Sequence, residues 1–352
     1  MPQRRLHSLD ALRGIAALAV VLWHWQHFAT LGGAGWPREA QPFYALLKPG
    51  YLYGWIAVDL FFALSGFVFF WLYADAIAAR RMTPGRFALL RFSRLYPLHW
   101  LTLAAVAILQ WTYHRNTGTF FIYQTNDLMH FAASIALAQN WFHGTESFNG
   151  PSWSISVEVL LYIVFFVLCR LRLINWQSAL AMVLVGFAIR HFHLSALTGR
   201  GVMAFFIGGI AFHVTEWIRG RADAVRLSWC AVILAAAVWM VAIAQLYWPA
   251  LGNEVSRLAD LLGHEAPVLL FVVLVGAPTL VALALHEQVL RFDYSKLSLL
   301  GDISYSTYLL HFPLQLLIAN IAVQQGWAAQ DFMSPLVLVA FYAVLIGLGT
   351  LS

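Results

Sequence analysis

The chain has 352 residues, of which 61% are hydrophobic and only 11% are charged, whereas a soluble globular protein carries roughly 25% charged residues. This composition excludes an ordinary soluble domain. The net charge is +5, but the 21 lysine and arginine residues stand in short clusters between apolar runs, which excludes the continuous basic groove or arm of a nucleic-acid-binding protein.

Ten apolar runs are long enough to cross a membrane as helices. A helix needs about 20 residues to cross a hydrocarbon layer ~30 Å thick, where every backbone polar group must be paired internally. The sequence therefore predicts an all-α fold, with one membrane-embedded domain over residues 1–352 and about ten spanning helices. The runs lie near residues 10–31, 53–73, 95–113, 152–170, 174–191, 201–218, 227–247, 266–286, 303–323 and 335–351.

The first run predicts an arginine and a histidine on one helix face. Arg13 and His24 are eleven residues apart, which is close to three helical turns and about 16 Å along the axis. A titratable side chain inside a membrane is costly and usually functional. We expect Arg13 to hold a ligand near the cytoplasm and His24 to react in the outer half. The alternative is a cytoplasmic anchor and a packing histidine.

Two carboxylates in other spans are predicted partners of His24. Counted inward from the outer ends of their spans, Asp59 and Glu158 lie at a depth similar to that of His24. An imidazole is a good general base near neutral pH, and a carboxylate bonded to its other nitrogen fixes the tautomer. We expect Asp59 or Glu158 to orient His24; the alternative is that both only hold helices together.

A basic stretch over residues 80–97 follows the second span. It contains Arg91 and Arg94, which would be one turn apart on a helix. Guanidinium groups bind phosphates in a bidentate geometry. The pair therefore predicts a site for the nucleotide end of coenzyme A, with anionic lipid headgroups or a purely topological role as alternatives.

An eleventh run, residues 127–144, contains Asp127, His130, Gln139 and Asn140. If it crossed the membrane, it would invert the side assigned to every later loop. With ten spans and a cytoplasmic N-terminus, fifteen of the 21 lysine and arginine residues fall on the cytoplasmic side, as the positive-inside rule requires. The run is therefore predicted to be a re-entrant or interfacial segment.

The run 303–323 contains an intramembrane histidine, His311, after two hydroxyl-rich turns. We expect His311 to line the same cavity as His24, or else to make a packing contact. No metal is expected, because His24 and His27 are three residues apart and the sequence fixes no third ligand.

Five segments resemble, in chain order, motifs of the acyltransferase-3 family of membrane acyltransferases: LDALRGIAALAVVLWH, VDLFFALSGF, RFSRLYP, SWSISVE and ISYSTYLLH. One such string could match by chance, but five in order cover almost the whole chain. The resemblance implies transfer of an acyl group, commonly acetyl from acetyl-CoA, to sugars of surface polysaccharides, lipopolysaccharide, peptidoglycan or small glycosides.

The resemblance also implies roles for individual residues. The family's Arg-x10-His pattern falls on Arg13 and His24, its R-x-x-R pattern on Arg91 and Arg94, and its acidic W-S-x-S-x-E position on Glu158. Five further residues of the matching segments are expected to bind the acceptor substrate: Asp10, Ser65, Trp153, Tyr305 and His311.

The sequence therefore predicts a membrane-bound O-acyltransferase of the bacterial inner membrane. Its expected partners are acyl-CoA, a glycan, glycolipid or glycoside acceptor, and membrane lipids, without nucleic acid. His24 would deprotonate the acceptor hydroxyl or carry the acyl group transiently. The alternative is a proton-coupled transporter or flippase of a glycan precursor, because intramembrane charges also mark carriers. Family members usually continue past the last span, whereas this sequence stops at Ser352, which predicts a truncated C-terminus.

Overall fold

The computed structural model describes residues 5–33, 35–141, 146–262 and 266–352. Over these ranges the secondary structure is helical, with short 3-10 turns, a π turn at Phe271–Gly276 and no strand. The α-helices are α1 (His7–Trp23), α2 (Tyr44–Tyr53), α3 (Ala57–Ala78), α4 (Pro84–Thr117), α5 (Leu128–Ile135), α6 (Trp153–Arg170), α7 (Trp176–His191), α8 (Ala196–Arg219), α9 (Ala224–Tyr247), α10 (Pro249–Leu262), α11 (Ala266–Leu270), α12 (Ala277–Gln288), α13 (Ser298–Asp302), α14 (Ser304–Gln325) and α15 (Pro335–Leu351).

The predicted all-α class is confirmed, but the predicted number of spans is not. A helix lies at each of the ten predicted runs. However, α1, α7 and α15 have only 17, 16 and 17 residues. Within the described ranges, seven helical segments are long and apolar enough to cross a membrane: Tyr44–Ala78, Pro84–Thr117, Gly150–Arg170, Ala196–Arg219, Ala224–Tyr247, Pro267–Gln288 and Ser295–Gln325.

The segment 127–144 contains a short helix, α5. Its first turn is capped by Asp127, whose side chain accepts a hydrogen bond from the backbone nitrogen of His130. The eight residues of α5 are too few to cross the hydrocarbon layer. This helix is therefore not a span, while residues 142–144 of the predicted segment lie outside the described residues.

The first predicted span changes its geometry at His24. The α-helix ends at Trp23, and residues His24–Thr30 continue as a 3-10 turn. The expectation of one α-helix over residues 10–31 is therefore wrong beyond Trp23. The 3-10 turn has three residues per turn instead of 3.6, so the side chains after Trp23 point in different directions from those of a continued α-helix. This turn begins with His24, the histidine predicted to react.

The described chain forms two compact units. Unit 1 consists of Met1–Ala16, Ile56–Pro84 and Leu160–Asp302. Unit 2 consists of Ala17–Trp55, Gly85–Val159 and Ile303–Ser352.

Unit 1 is built around α8, against which α3, α7 and α12 pack. The backbones of α3 and α8 approach closely at two glycines. A methyl group on Gly66 would lie 1.8 Å from the carbonyl oxygen of Phe205, and one on Gly208 would lie 1.9 Å from that of Ala63. Small residues allow such close approach between membrane helices, where packing contacts replace the hydrophobic effect.

Unit 2 holds its His24–Thr30 turn against a second 3-10 turn, Ala329–Met333. The rings of Phe28 and Phe332 stack at 4.2 Å between centroids. The indole nitrogen of Trp25 donates to the carbonyl oxygen of Phe332 at 3.2 Å. Since Trp25 and Phe28 are fully buried, this aromatic contact fixes the segment that begins at His24.

Candidate functional site

Helix α14 carries a row of polar side chains through unit 2. Tyr305, Tyr308, His311 and Gln315 are spaced by three, three and four residues, so they lie along one side of the helix. The row extends over about 15 Å at the helical rise. We call these four residues the α14 polar row; the other groups of the site contact it.

His24 is almost completely buried, with 7% of its surface exposed. Its Nδ1 lies 2.8 Å from the carbonyl oxygen of Val20. Because a carbonyl oxygen can only accept, Nδ1 carries the hydrogen and, in the neutral ring, Nε2 carries the lone pair. The sequence predicts a carboxylate at the orienting nitrogen; the structure corrects this, since a backbone carbonyl one turn earlier holds that position.

The structure brings His311 next to His24. The two ring centroids are 4.7 Å apart, and His311 is fully buried. Its Nδ1 lies 2.5 Å from the carbonyl oxygen of Tyr308, so His311 has the same tautomer as His24. Within the part of the chain that the structure describes, its Nε2 has no hydrogen-bond partner. Two basic nitrogens therefore belong to one buried cluster.

Gln315 links this cluster to a third histidine. Its side-chain nitrogen donates to the carbonyl oxygen of His24 at 3.0 Å, and its side-chain oxygen accepts from Nδ1 of His27 at 3.0 Å. The rings of His24 and His27 are 4.9 Å apart. Sequence reasoning missed Gln315, although a glutamine inside an apolar span, four residues after His311, is a usable signal.

The start of α6 is bonded to the middle of the α14 polar row. The hydroxyl of Tyr308 donates to the carbonyl oxygen of Pro151 at 2.8 Å. The hydroxyl of Ser154 donates to the same carbonyl at 3.3 Å and lies 2.8 Å from the hydroxyl of Tyr308. Trp153, a predicted acceptor-binding residue, begins α6 and is buried. The S-W-S-I-S-V-E segment is thus fixed on α14 by polar contacts.

Tyr305 lies at the other end of the α14 polar row, together with two residues that the sequence assigned to different tasks. Its hydroxyl donates to the carbonyl oxygen of Leu95 at 2.5 Å. The charges of both Glu158 and Arg94 act on this phenol. Arg91 is one turn before Arg94 on α4, as predicted for a helical stretch. Glu158 and Arg94 therefore both lie within electrostatic range of Tyr305.

In unit 1, Asp10 accepts hydrogen bonds from both Arg5 and Arg13. Arg13, the predicted coenzyme ligand, is therefore paired with Asp10, a predicted acceptor-binding residue. The carboxylate of Glu287 accepts from the backbone nitrogens of His7 and Ser8 at 3.1 and 2.8 Å. This contact satisfies free donors at the first turn of α1, which a helix cannot pair internally.

Asp59 is fully buried in unit 1 and forms an ion pair with Arg200. Its two oxygens accept from Nε and a terminal nitrogen of Arg200 at 3.2 and 2.6 Å. This is the bidentate geometry in which guanidinium and carboxylate bond most strongly. Arg200 is absent from the sequence prediction, while Ser65 lies six residues after Asp59 on α3 and is half-buried.

Comparison with known proteins agrees with the motifs. The model of the acyltransferase-3 family, described as an acyltransferase domain, matches residues 6–351. BcsY of Komagataeibacter xylinus, whose name describes a membrane-bound transacylase, is 26% identical over 329 residues, which are 91% of this chain and 75% of BcsY. The acyltransferase MdmB of Streptomyces mycarofaciens is 33% identical over 222 residues, 57% of this chain and 52% of MdmB.

A shorter match is Protein 2 of the picA locus of Rhizobium radiobacter. It is 40% identical over 106 residues, which are 30% of this chain and 46% of that protein. The matches to MdmB and to this protein thus cover about half of each relative's length. No solved structure matches the chain significantly.

Proposed function

We propose, since this chain belongs to the acyltransferase-3 family of membrane acyltransferases, that it moves an acyl group from acyl-CoA to a hydroxyl of a glycan, glycolipid or glycoside. The chain is a multi-pass membrane protein by its family and its apolar helices. We place it in the bacterial inner membrane with a cytoplasmic N-terminus, following the clusters of lysine and arginine. Acetyl is the acyl group that we propose, as the resemblance implies.

The basic Nε2 of His24 carries this proposal. The contact between Nδ1 and the Val20 carbonyl leaves Nε2 ready to accept a proton. In the direct route, Nε2 takes the proton of the acceptor hydroxyl while the oxygen bonds to the thioester carbonyl carbon. The carbon–sulfur bond then breaks, and the proton passes from His24 to the sulfur of coenzyme A.

A second route uses the same atom as a nucleophile. Nε2 attacks the thioester carbonyl carbon, the carbon–sulfur bond breaks, and coenzyme A leaves as the thiolate. The acceptor oxygen then bonds to the acyl carbon as the bond from this carbon to Nε2 breaks, and the hydroxyl proton passes to the thiolate, which leaves His24 neutral again. Both routes need Nε2 unprotonated and Nδ1 protonated, which is the tautomer set by Val20.

The α14 polar row supports the proposed direction of the donor. Arg94 is near Tyr305 at one end, and His24 is next to His311 about 9 Å further along the helix. In our proposal, Arg91 and Arg94 hold the phosphates of coenzyme A, and the long, thin pantetheine arm presents the thioester to His24. Roles for Arg13, Asp10, Asp59 and Ser65 in binding or catalysis stay predictions.

The test is mass spectrometry of glycans and lipids from host cells that produce the wild type, His24→Ala or His114→Ala at matched membrane levels. His114 is an exposed histidine at the end of α4 and is the control. We expect acylated species with the wild type and with His114→Ala, and their loss with His24→Ala. An unchanged acyl profile with His24→Ala would reject the proposal. Transport of a glycan precursor without acylation would favour the carrier alternative.

A further inference from the structure

His24 and His311, two neighbouring histidines of unit 2, each have a ring Nε2 that is not used by a backbone carbonyl. Nδ1 of His24 is used by the carbonyl of Val20, and Nδ1 of His311 by the carbonyl of Tyr308. In their neutral forms both rings therefore offer an Nε2 lone pair. Their ring centroids are 4.7 Å apart, so one ring can donate to the other through one water or after a small rotation of the rings.

The unpaired nitrogen of His311 indicates which protonation state this arrangement suits. A fully buried acceptor without a donor is unfavourable and uncommon in proteins, and Nε2 of His311 is such an atom within the described ranges. Two neutral rings of this tautomer cannot bond through Nε2, because both atoms are acceptors. A single additional proton on His24 would supply the missing donor.

We propose that protonated His24 donates its Nε2–H to Nε2 of His311, so that the two rings share the proton released by the acceptor hydroxyl. This inference rests on the proposed function and deepens it, since it assigns a positioning role to His311. An imidazolium in a buried, apolar setting is costly unless it is hydrogen-bonded. His311 reduces that cost and so makes His24 a stronger base; the proton later leaves from His24 to the sulfur of coenzyme A.

Other titratable groups near His24 and His311 are competing candidates to accept the proton from His24. His27, on the same 3-10 turn as His24, is 4.9 Å from it, but Nδ1 of His27 bonds to Gln315. The ring centroids of Tyr123 and His27 are 6.0 Å apart, and the charge of Glu146 acts on Tyr123. Tyr308 adjoins His311 on α14, at 5.8 Å between rings. Because His27 is the nearest of these groups to His24, it is the alternative acceptor of the proton. A variant of His27 is therefore the matched comparison for a variant of His311.

The sign of the expected pH effect follows from the role of His311. A partner that stabilises protonated His24 raises the pH at which His24 loses its proton. Replacement of His311 by phenylalanine should therefore move the acid limb of the rate profile to lower pH, by about one unit, and lower the plateau rate. A merely structural role would lower the plateau without moving the limb.

The first measurement is release of coenzyme A thiol from acetyl-CoA, with and without a methyl glycoside, by the full chain in lipid nanodiscs across a pH series. We expect the shift in His311→Phe, a smaller shift in His311→Gln because the amide oxygen still accepts, and the smallest shift in His27→Phe. Size-exclusion elution and thermal unfolding verify that each variant is folded. A larger shift in His27→Phe than in His311→Phe would overturn the proposal.

The second measurement needs no turnover. Diethyl pyrocarbonate modifies neutral imidazoles, so mass spectrometry of modified His24 as a function of pH reports its protonation. A lower pH midpoint of His24 modification in His311→Phe than in the wild type supports the shared proton. If no thiol is released in such a preparation, only the proposed acyl transfer is refuted. An unmoved midpoint and an unmoved acid limb, in a preparation that does release thiol, refute the shared proton and leave acyl transfer standing.

Discussion

The side-chain amide of Gln315 donates to the backbone carbonyl oxygen of His24 at 3.0 Å, and its oxygen holds His27 at the same distance. Gln315→Leu should therefore displace both histidines. Loss of one partner of a buried hydrogen bond costs roughly 1–3 kcal/mol, and we expect acyl transfer to fall by at least about tenfold.

Thiol release in nanodiscs checks this prediction, with Gln325→Leu as the control at the exposed end of the same helix. Equal rates for Gln315→Leu and Gln325→Leu would show that the position of His24 does not depend on this amide.

The buried pair of Asp59 and Arg200 predicts an asymmetry between single and double replacements. Asp59→Ala leaves a guanidinium without its carboxylate, and breaking a buried pair from one side costs about 3–5 kcal/mol. The double variant Asp59→Leu with Arg200→Met should lose less stability, because the guanidinium that pairs with Asp59 is removed together with the carboxylate. Thermal unfolding in detergent measures both; a double variant less stable than Asp59→Ala would contradict the prediction.

The close contact of α3 and α8 predicts that methyl groups are not tolerated there. Gly66→Ala and Gly208→Ala would each place a carbon within 2 Å of a backbone carbonyl oxygen, so the helices must separate. We expect a loss of about 1–3 kcal/mol for each. The control is Gly347→Ala on α15, where an added methyl group meets nothing within 4 Å and should leave stability unchanged or slightly raised. Comparable unfolding temperatures for all three variants would be inconsistent with tight α3–α8 packing.

The cap of α5 predicts a local pH dependence. The exposed carboxylate of Asp127 accepts hydrogen bonds from the backbone N–H and from the ring of His130. These two hydrogen bonds lower the pKa of Asp127 below its ordinary value. A carboxyl group whose pKa is lowered by folding stabilises the folded segment above its ordinary pKa and ceases to do so as pH falls through the lowered value. The protection of α5 amides against hydrogen exchange, relative to the intrinsic exchange rate at each pH, should therefore fall in acid, below pH of about 4.

Asp127→Asn is the control for this cap, because asparagine also caps helices but does not titrate in this range. Exchange in Asp127→Asn should lose that part of the pH dependence. The same acid-dependent loss of protection in both proteins would show that another group is responsible.

The arginine pair on α4 predicts a selective loss of coenzyme affinity. Arg91→Ala and Arg94→Ala should each weaken acyl-CoA binding by about tenfold or more, because hydrogen bonds to charged groups contribute roughly 1.5–3 kcal/mol. Lysine at either position restores charge but not the bidentate geometry, so recovery should be partial. Calorimetry with acetyl-CoA measures this, and Arg115→Ala, at the other end of α4, is the control. Unchanged affinity in both alanine variants would remove these residues from the donor site.

Much of the helical architecture is predictable because the bilayer imposes a length on every span. The ten apolar runs coincide with helices, and Arg91 and Arg94 do share one helix. Amphipathic α10 escapes this reasoning, because its mixed polar and apolar residues form no long apolar run. The end of α1 at Trp23 also escapes it, since nothing in the hydropathy distinguishes an α-helix from a 3-10 turn.

The contacts of the candidate site are harder to predict for two physical reasons. The hydrogen-bond partner of His24 is the backbone carbonyl of Val20. Every residue has a backbone carbonyl, so the amino-acid sequence does not indicate which one bonds to the histidine. The pairs Asp59–Arg200 and His24–Gln315 join residues 141 and 291 positions apart. Such pairs depend on how helices are rotated about their axes, whereas a depth count gives only the level of a residue along its own helix.

The stacking of Phe28 on Phe332 ties the segment after His24 to the short connection that precedes the last helix. That connection contains no residue to which we assign chemistry. Substitutions in that connection would therefore move the imidazole of His24 without changing any side chain that takes part in the proposed reaction.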